Sequence, residues 1–421
     1  MPYSIPTLTS EELERFHSMD YSEIAFTILN KFIENDISQT ELRNLCNESY
    51  NFDVPLEKVY DRKYIMRLDQ GPTASFKDFA ARMMSRLMQY FLSINNQHLT
   101  ILTATSGDTG SAVASAFFGL SNINVIILYP AEEVTLMQRK QMTTLHKNIR
   151  VVAINGKFDD CQRLVKEAFV DPSLSHMNLS SANSINIGRL LPQSAYYFYA
   201  WSRLSGGITD RAIFSVPSGN FGNLMGGLIA KKMGMPVKKF IIATNENDEV
   251  PEFIRTGKYK SISPSINCIS SAMNVGHPSN LPRIVELYGG IMDETGVIKK
   301  MPDHKKMQDD FYSVSVTDEE TRMIIAGIYK QYGIILEPHG AIAWHGINDF
   351  CNSDKICDSE KQLFVSLETA HPAKFPKEIL ESIKIDPPLP SSLKGISDME
   401  EEYVLLDNNY ELFKVFIENN F

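Results

Sequence analysis

The chain alternates short apolar runs with stretches in which apolar and polar residues recur at helical spacing. The apolar runs are predicted as buried strands and occupy residues 99–102, 125–129, 150–154, 212–216, 240–244 and 363–367. Helical spacing is clearest at residues 76–91, 135–145, 159–169 and 318–332. Because parallel strands are buried on both faces and joined by helices, this alternation predicts an α/β protein with parallel sheets covered by helices.

The same pattern divides the chain into four predicted segments. Residues 1–94 form a mostly helical N-terminal segment, residues 95–200 a smaller α/β domain and residues 201–385 a larger α/β domain. A proline-rich stretch at residues 386–390 interrupts the periodicity. It begins a C-terminal segment, residues 386–421, with a predicted last helix near residues 409–417.

The composition favours a soluble cytoplasmic protein. Hydrophobic residues make up 43% and charged residues 22% of the 421 residues, which are ordinary values for a globular protein. The 41 Lys and Arg residues against 51 Asp and Glu residues give a net charge of −10, which argues against a nucleic-acid or membrane surface. No apolar run is long enough for a membrane span, and no secretory signal pattern is visible.

The cysteines predict a reducing compartment rather than a disulfide framework. Their number is odd and they are scattered along the chain, at positions 46, 161, 268, 351 and 357. No Cys or His pair has the spacing of zinc ligands, so no metal site is predicted.

One lysine has a setting that is suited to covalent chemistry. In the segment G-P-T-A-S-F-K-D-F at residues 71–79, Lys77 stands between Phe76 and Phe79. Apolar neighbours disfavour the charged ammonium form, and an uncharged amine can form a Schiff base with an aldehyde cofactor. The alternative is a surface lysine whose stem covers apolar neighbours while its head lies in water.

Two strand–turn–helix segments offer candidate anion sites. The segment T-A-T-S-G-D-T-G at residues 103–110 and the segment S-V-P-S-G-N-F-G-N at residues 215–223 each follow an apolar strand and precede a helix. Backbone N–H groups at a helix start favour an anion, and glycine permits close approach of the backbone. For each segment, a turn without a ligand is the alternative.

A fourth segment places a hydroxyl at the end of a strand. The run L-F-V-S-L-E-T-A-H-P-A-K at residues 363–374 ends its apolar strand at Thr369. Residues at the carboxyl end of a parallel strand commonly contact ligands, although a solvated strand end is the alternative.

Taken together, these segments resemble the threonine synthase family, whose members are pyridoxal phosphate (PLP) enzymes of fold type II, related to tryptophan synthase β. The blocks that carry the resemblance keep the family order and lie at residues 71–79, 103–110, 180–186, 216–222, 243–248 and 369–375. The resemblance implies two parallel-sheet α/β domains with PLP in the cleft between them. The chain begins just past the position where relatives carry a D-G-G-L-like turn, and loss of that turn would uncover a sheet edge or an apolar patch.

The resemblance also assigns roles to residues. Lys77 stands at the position of the PLP lysine, and Thr369 at the position where a hydroxyl meets the pyridine nitrogen. A neutral hydroxyl there is expected to leave that nitrogen largely unprotonated. The phosphate of the cofactor is assigned to Gly219, Asn220, Phe221, Gly222 and Asn223. The substrate side is assigned to Thr105, Ser106, Asp108, Thr109 and Asn183.

Two positions depart from the family pattern. Ser75 replaces a small apolar residue beside the lysine block, and Asn223 stands where relatives tend to carry Asp. An amide can donate to a phosphate, whereas a carboxylate only accepts and repels it. The alternative is a helix-start residue that acts only as a cap, for which Asp and Asn are nearly interchangeable.

The implied reaction converts O-phospho-L-homoserine and water to L-threonine and phosphate by γ-elimination and β-addition, the final step of threonine biosynthesis. A second phosphate site is then required, with Ser106, Thr109, Asn183 and either Arg189 or Lys374 as candidates. The alternatives are a PLP-dependent phospholyase or dehydratase-like amino acid lyase, and a catalytically silent binding protein of the same fold. The expected partner is a small-molecule substrate, with no nucleic acid and no membrane, and both a monomer and a homodimer remain open.

Overall fold

The computed structural model describes residues 4–353 and 361–420, so Cys357 lies outside the described residues. The described chain contains strands β1–β13, which are Leu56–Tyr60, Lys63–Arg67, Leu99–Ala104, Ile123–Pro130, Ile149–Asn155, Leu179–Ser181, Ala212–Pro217, Val237–Thr244, Ile291–Met292, Ile298–Lys300, Phe311–Ser315, Phe364–Glu368 and Val404–Asp407.

Helices α1–α16 connect and cover these strands. They are Ser10–Arg15, Tyr21–Ile33, Gln39–Ser49, Lys77–Asn95, Asp108–Phe117, Leu136–Thr143, Phe158–Val170, Ser194–Leu204, Gly222–Lys232, Glu249–Thr256, Leu281–Leu287, His304–Asp310, Asp318–Tyr332, Pro338–Ser353, Pro376–Ile383 and Tyr410–Asn420. Short 3₁₀ turns lie at Pro172–Met177, Ile187–Arg189, Leu191–Gln193, Ser271–Met273, Pro372–Lys374, Ser391–Leu393 and Ile396–Asp398. Within the described ranges, no helix is both long and apolar enough to cross a bilayer.

The described residues form two compact units. The first comprises those of Met1–Gln70 and Leu190–Pro388, and the second those of Gly71–Arg189 and Leu389–Phe421. This division cuts the predicted N-terminal segment 1–94, because α4 and the loop before it belong to the second unit. It also joins the predicted C-terminal segment to the unit that contains most of residues 95–200.

The first unit is built on a six-stranded sheet with the order β1-β2-β12-β7-β8-β11. Its neighbouring strands are parallel, apart from the antiparallel pair of β1 and β2. Apolar side chains of the central strands, among them Ile213, Ile241 and Phe364, pack with Trp344 of α14 and Ile325 of α13 into one buried cluster. Since the central strands are buried on both faces, their continuous apolar runs made them visible in the sequence.

The second unit is built on a five-stranded sheet with the order β13-β5-β4-β3-β6, in which every neighbouring pair is parallel. Alternate residues of each strand face opposite sides, as the pleat requires. Ile101 and Ile127 lie in the cluster on one face, and Leu102 and Ile126 in the cluster on the other. The predicted α/β class with parallel sheets and covering helices is therefore confirmed.

Candidate active site

The loop that carries Lys77 is held in place by the residue that follows it. Lys77 is the first residue of α4. The buried carboxylate of Asp78 accepts hydrogen bonds from the backbone N–H of Thr73 at 2.8 Å and from its hydroxyl at 2.7 Å. A Cβ atom on Gly71 would stand 2.4 Å from the same carboxylate, so only glycine fits there. The G-P-T…K-D pattern thus forms a closed turn that fixes the position of the Lys77 backbone at the start of α4.

The amine of Lys77 has both an aromatic and an anionic neighbour. Its Nζ atom lies 4.7 Å from the centroid of the Phe76 ring and 3.6 Å from Oδ2 of Asp108. The Lys77 side chain is 13% exposed and the Asp108 side chain 2%. Phe79 is fully buried on α4. The predicted apolar flank is present, but the carboxylate favours the ammonium form and opposes the effect of burial.

One hydroxyl of the turn at residues 103–110 is hydrogen-bonded to the backbone of the same turn. Oγ1 of Thr105 accepts the N–H groups of Gly107 at 2.9 Å and of Gly110 at 2.8 Å. Asp108, the first residue of α5, accepts a hydrogen bond of 2.9 Å from Nε2 of Gln138. The sequence analysis missed Gln138, which also closes a capping box with Thr135 at the start of α6.

Three further predicted residues follow strands of the five-stranded sheet in the second unit. Asn183 follows β6 and donates from Nδ2 to the carbonyl of Ala104, the last residue of β3, at 2.8 Å. Ser106 is half-buried in the turn after β3, and Thr109 is half-buried in the first turn of α5. Because β3 and β6 are parallel neighbours, their carboxyl ends share one edge of the sheet. The structure therefore gathers the predicted substrate-side residues at that edge.

Arg189 is buried close to this group. Its guanidinium donates to the carbonyl of Ala182. Burial lowers the pKa of Arg189 to about 10, while the charge of Asp78 acts in the opposite direction. Lys374 is also fully buried, but it belongs to the other unit, in the 3₁₀ turn Pro372–Lys374. The two candidates for a phosphate-binding cation thus lie in different units.

In the first unit, the glycine loop after β7 presents backbone donors. Within the described part of the chain, the backbone N–H groups of residues 219–224 have no hydrogen-bond acceptor. Phe221 adopts a left-handed conformation, with φ of 60°, directly before α9. A Cβ atom on Gly219 would stand 2.6 Å from the carbonyl oxygen of Ala272. Unsatisfied N–H groups at the start of an 11-residue helix fit a phosphate group.

Asn223 adds an oriented side-chain donor to this loop. Its Oδ1 atom accepts hydrogen bonds from the hydroxyls of Tyr196 and Tyr197, each at 2.6 Å. In this arrangement the amide oxygen of Asn223 faces the two tyrosine hydroxyls. Asn223 is buried, and among the described residues its Nδ2 atom has no hydrogen-bond partner. A buried donor left without an acceptor fits an anionic ligand such as the phosphate of PLP.

Thr369 lies at the same sheet edge as the glycine loop, because β12 and β7 are parallel neighbours and both end there. Its hydroxyl is 3.3 Å from Oε1 of Glu337, a buried carboxylate directly before α14. A second buried carboxyl, Glu368, accepts the backbone N–H of Glu337 at 2.9 Å. Burial, and then the charge of Glu337, raises the pKa of Glu368 well above its usual value. The sequence analysis did not identify this acidic pair, because its members stand 31 positions apart.

Family models match the chain throughout. A model described as pyridoxal-phosphate dependent enzyme matches residues 39–367, one described as threonine synthase N terminus matches residues 1–50, and one described as threonine synthase, C-terminal matches residues 341–417.

Curated and solved relatives agree with these matches. The threonine synthase of Buchnera aphidicola subsp. Acyrthosiphon pisum is 42% identical over 94% of this chain and 88% of its own length. The crystal structure of threonine synthase from Escherichia coli has a TM-score of 0.89 at 35% identity, covering 100% of this chain and 93% of the other. That of PLP-bound threonine synthase from Brucella melitensis has a TM-score of 0.90 at 31% identity, covering 100% and 92%. The chain therefore belongs to the threonine synthases, which are pyridoxal-phosphate-dependent enzymes of fold type II.

Proposed function

We propose that this protein converts O-phospho-L-homoserine and water into L-threonine and phosphate, as the final step of threonine biosynthesis. The observation that carries the proposal is the set of donors without acceptors at the glycine loop of the first unit. The glycine loop and Asn223 fit the phosphate of the cofactor, and the Asp78-bound turn fixes Lys77 beside Asp108.

The cofactor is held by residues of the first unit in this proposal. The N–H groups of Gly219, Asn220, Phe221 and Gly222 and the amide of Asn223 hold its phosphate, and Thr369 meets its ring nitrogen. When bound, PLP supplies an electron sink for negative charge that develops next to the substrate amine. The unpartnered backbone donors and the unpartnered Asn223 amide support this assignment, since both lack acceptors in the described protein.

Lys77 is the proposed proton carrier of the reaction. The conversion breaks the Cγ–O bond to phosphate, takes a hydrogen from Cβ, adds the water oxygen at Cβ and adds a hydrogen at Cγ. One amine that binds and releases protons at Nζ can serve these positions in turn. Asp108, 3.6 Å from Nζ, stabilises the protonated amine between transfers.

The substrate side is assigned to residues of the second unit. Ser106, Thr109 and Asn183 offer hydroxyl and amide groups at one sheet edge. The Thr105 oxygen accepts two backbone N–H groups, which leaves its hydroxyl hydrogen able to donate to the substrate. Arg189 belongs to this unit and Lys374 to the other. Both remain candidates for the cation that binds the substrate phosphate.

The test is a product assay with the PLP-loaded enzyme and O-phospho-L-homoserine. We expect L-threonine and inorganic phosphate in equal amounts. Phosphate release with a 2-ketoacid and ammonia, and without threonine, would instead support a lyase that does not add water at Cβ. Binding of PLP without any phosphate release would favour the catalytically silent alternative.

The setting of the reaction is also proposed. The scattered cysteines support a reducing compartment, and we place the enzyme in the cytoplasm. The net charge of −10 argues against nucleic-acid partners. Sedimentation of the PLP-loaded protein would distinguish a monomer from a homodimer.

A further inference from the structure

The first unit contains a cavity of about 450 Å³ that lies against the β1–β2 pair. Its lining combines polar side chains of these two strands with residues that follow α13 and β12. Typical small-molecule sites have volumes of ~300–1,000 Å³, and the cavity falls within that range. Among the described residues, none of those assigned above to the cofactor or the substrate lines this cavity. Its side chains are therefore available to a different ligand.

Arg67 presents a fixed donor to the cavity. Its Nε and Nη2 atoms donate to Oδ1 and Oδ2 of Asp69 at 3.2 and 2.5 Å, and both residues are buried. This bidentate pairing fixes the plane of the guanidinium. Within the described chain, the third nitrogen, Nη1, has no hydrogen-bond acceptor. Oε2 of Glu57 lies 3.8 Å from Nη1, which is too far for a hydrogen bond. The Nη1 donors thus remain for a ligand.

His371 supplies a second donor. Its Nδ1 atom accepts the backbone N–H of Ala373 at 3.1 Å, so that nitrogen carries no hydrogen. Burial lowers the pKa of His371, which favours the neutral ring, and the hydrogen of that ring must then be on Nε2. Nε2 has no hydrogen-bond acceptor in the part of the chain that the structure describes. Because His371 lines the same cavity as Arg67, two unused donors are gathered there.

Glu57 supplies the matching acceptor. Its side chain is 43% exposed and accepts no hydrogen bond from the described residues, although it lies beside the guanidinium of Arg67. The next residue of β1, Lys58, also lines the cavity and is exposed. A carboxylate and a guanidinium that are adjacent but not hydrogen-bonded to each other can each bind one charged group of a ligand.

The remaining lining is apolar. Ile334 and Ile335 follow α13 and are half-buried, and Pro372 and Pro387 are buried. Proline has no backbone N–H, so this part of the lining offers few donors. Apolar surface of this kind favours an aliphatic group over a polar one.

We propose that this cavity binds a small α-amino acid with an aliphatic side chain. The carboxylate of the ligand accepts from Nη1 of Arg67 and Nε2 of His371, its ammonium group donates to Glu57, and its side chain packs against Ile334 and Ile335. A simple carboxylate would leave Glu57 without a donor, and a simple amine would leave two donors without an acceptor. A zwitterion satisfies all three groups.

The test is isothermal titration of the PLP-loaded protein with L-isoleucine as the probe. We expect saturable binding with one site per chain. Two analogues are matched to the probe, since 2-methylbutylamine lacks the carboxylate and 3-methylpentanoate lacks the amine. Each should bind at least roughly tenfold more weakly, because hydrogen bonds to charged groups are lost.

Two variants locate the binding. Glu57→Gln removes the charge that faces the ammonium group and should weaken binding roughly tenfold. Ile334→Trp places an indole in the lining and should abolish binding. The controls make the same changes at exposed positions of α13, as Glu319→Gln and Met323→Trp, and they should bind the probe like the wild type. Melting curves establish that each variant is folded.

Three results would overturn the inference. The first is a wild-type protein that shows no saturable binding of L-isoleucine in the millimolar range. The second is unchanged affinity in both Glu57→Gln and Ile334→Trp, which would mean that the probe binds elsewhere, for example through its amine at PLP. The third is an analogue that binds as tightly as the probe. Threonine formation by the wild type is measured separately, so the proposed function stands or falls independently of this cavity.

Discussion

At the scale of single residues, Lys77 experiences opposing influences. Limited exposure disfavours its charged form, whereas the carboxylate of Asp108 and the face of the Phe76 ring favour it. We expect Lys77→Ala to lose the visible absorbance of the lysine-linked cofactor. It should also lose at least the ~10²–10⁴-fold rate that a positioned acid/base group typically contributes. Absorbance spectra and initial rates of phosphate release measure both effects.

Lys77→Arg is the matched control for that experiment. The guanidinium keeps a cation beside Asp108 but stays protonated, so it can neither link to the cofactor nor accept a proton. It should therefore be as inactive as Lys77→Ala while it retains more thermal stability. Turnover at the wild-type rate in either variant would contradict the role of Lys77.

Asn223 is the second residue whose role depends on a single atom. Tyr196 and Tyr197 bind its oxygen and leave Nδ2 without a partner in the described structure. In Asn223→Asp the tyrosines can still donate, but an acceptor replaces the donor. A hydrogen bond to a charged group contributes ~1.5–3 kcal/mol. We therefore expect the dissociation constant of PLP to rise roughly 10–100-fold, since about 1.4 kcal/mol corresponds to a factor of ten in affinity.

The control for Asn223→Asp is Asn47→Asp, which makes the same change at an exposed position of α3. PLP retention should be unchanged in this variant. If Asn223→Asp also binds PLP as tightly as the wild type, Asn223 acts only as a helix cap and its departure from the family pattern has no consequence for the cofactor.

At the scale of elements, the sequence predicted strands where an uninterrupted apolar run is buried on both faces. The predicted strand at residues 125–129 is the centre of β4, and the one at 363–367 overlaps β12. It did not reveal β2, whose ends carry Lys63 and Arg67. Those charges are accommodated by Tyr60 and Asp69, and no periodicity signals such partners.

The candidate site shows the same limit. Motifs identified Lys77, Thr369 and the glycine loop, because in each case the chemistry lies within a few consecutive residues. Gln138 and Glu337 were missed, since they act on Asp108 and Thr369 from elements that are distant in sequence. Such contacts arise from tertiary packing, which a single sequence does not display.

The glycine loop before α9 also allows a test at the scale of an element. In Gly219→Ala the new Cβ would stand 2.6 Å from the Ala272 carbonyl and 2.9 Å from Cα of Met273, both of which are backbone atoms. The loop must shift, and overpacking of this kind costs ~1–3 kcal/mol. We expect weaker PLP binding in fluorescence titrations and a lower melting temperature of the apoprotein.

Gly206→Ala is the control, because its new Cβ would have Asp210 at 3.8 Å as its nearest neighbour. It should preserve both PLP affinity and melting temperature. Unchanged PLP affinity in Gly219→Ala would remove the glycine loop from the proposed phosphate site.

At the scale of the whole molecule, long-range strand pairing explains why the predicted segments differ from the compact units. β2 pairs in parallel with β12, and β13 pairs in parallel with β5. Both pairings join parts of the chain that are hundreds of residues apart. Residues 1–70 therefore belong with the larger sheet, and residues 389–421 with the smaller one. The proposed site residues are divided in the same way, with Lys77 in one unit and Thr369 in the other.

The free energy of unfolding is a property of the whole molecule, and one buried carboxyl should contribute to its dependence on pH. Glu249 lies at the start of α10 and is 4% exposed, and within the described chain its Oε2 atom has no hydrogen-bond partner. Burial, with a smaller contribution from Asp248, raises the pKa of Glu249 to about 8, against an ordinary value of 4.5. Between these two values the folded protein keeps a proton that the unfolded chain has released.

The free energy of unfolding should therefore fall as pH rises from about 5 to about 8, by up to about 1.4 kcal/mol per pH unit from this group. Glu249→Gln mimics the neutral carboxyl at every pH and should remove that contribution. In urea unfolding of the apoprotein, the advantage of Glu249→Gln over the wild type should grow from pH 5 to pH 8 and then level off. Glu319→Gln, at an exposed position of α13, controls for the loss of one negative charge. An advantage that stays constant with pH would mean that Glu249 is already ionised in the folded protein at pH 5, and that water or a cation reaches its carboxylate.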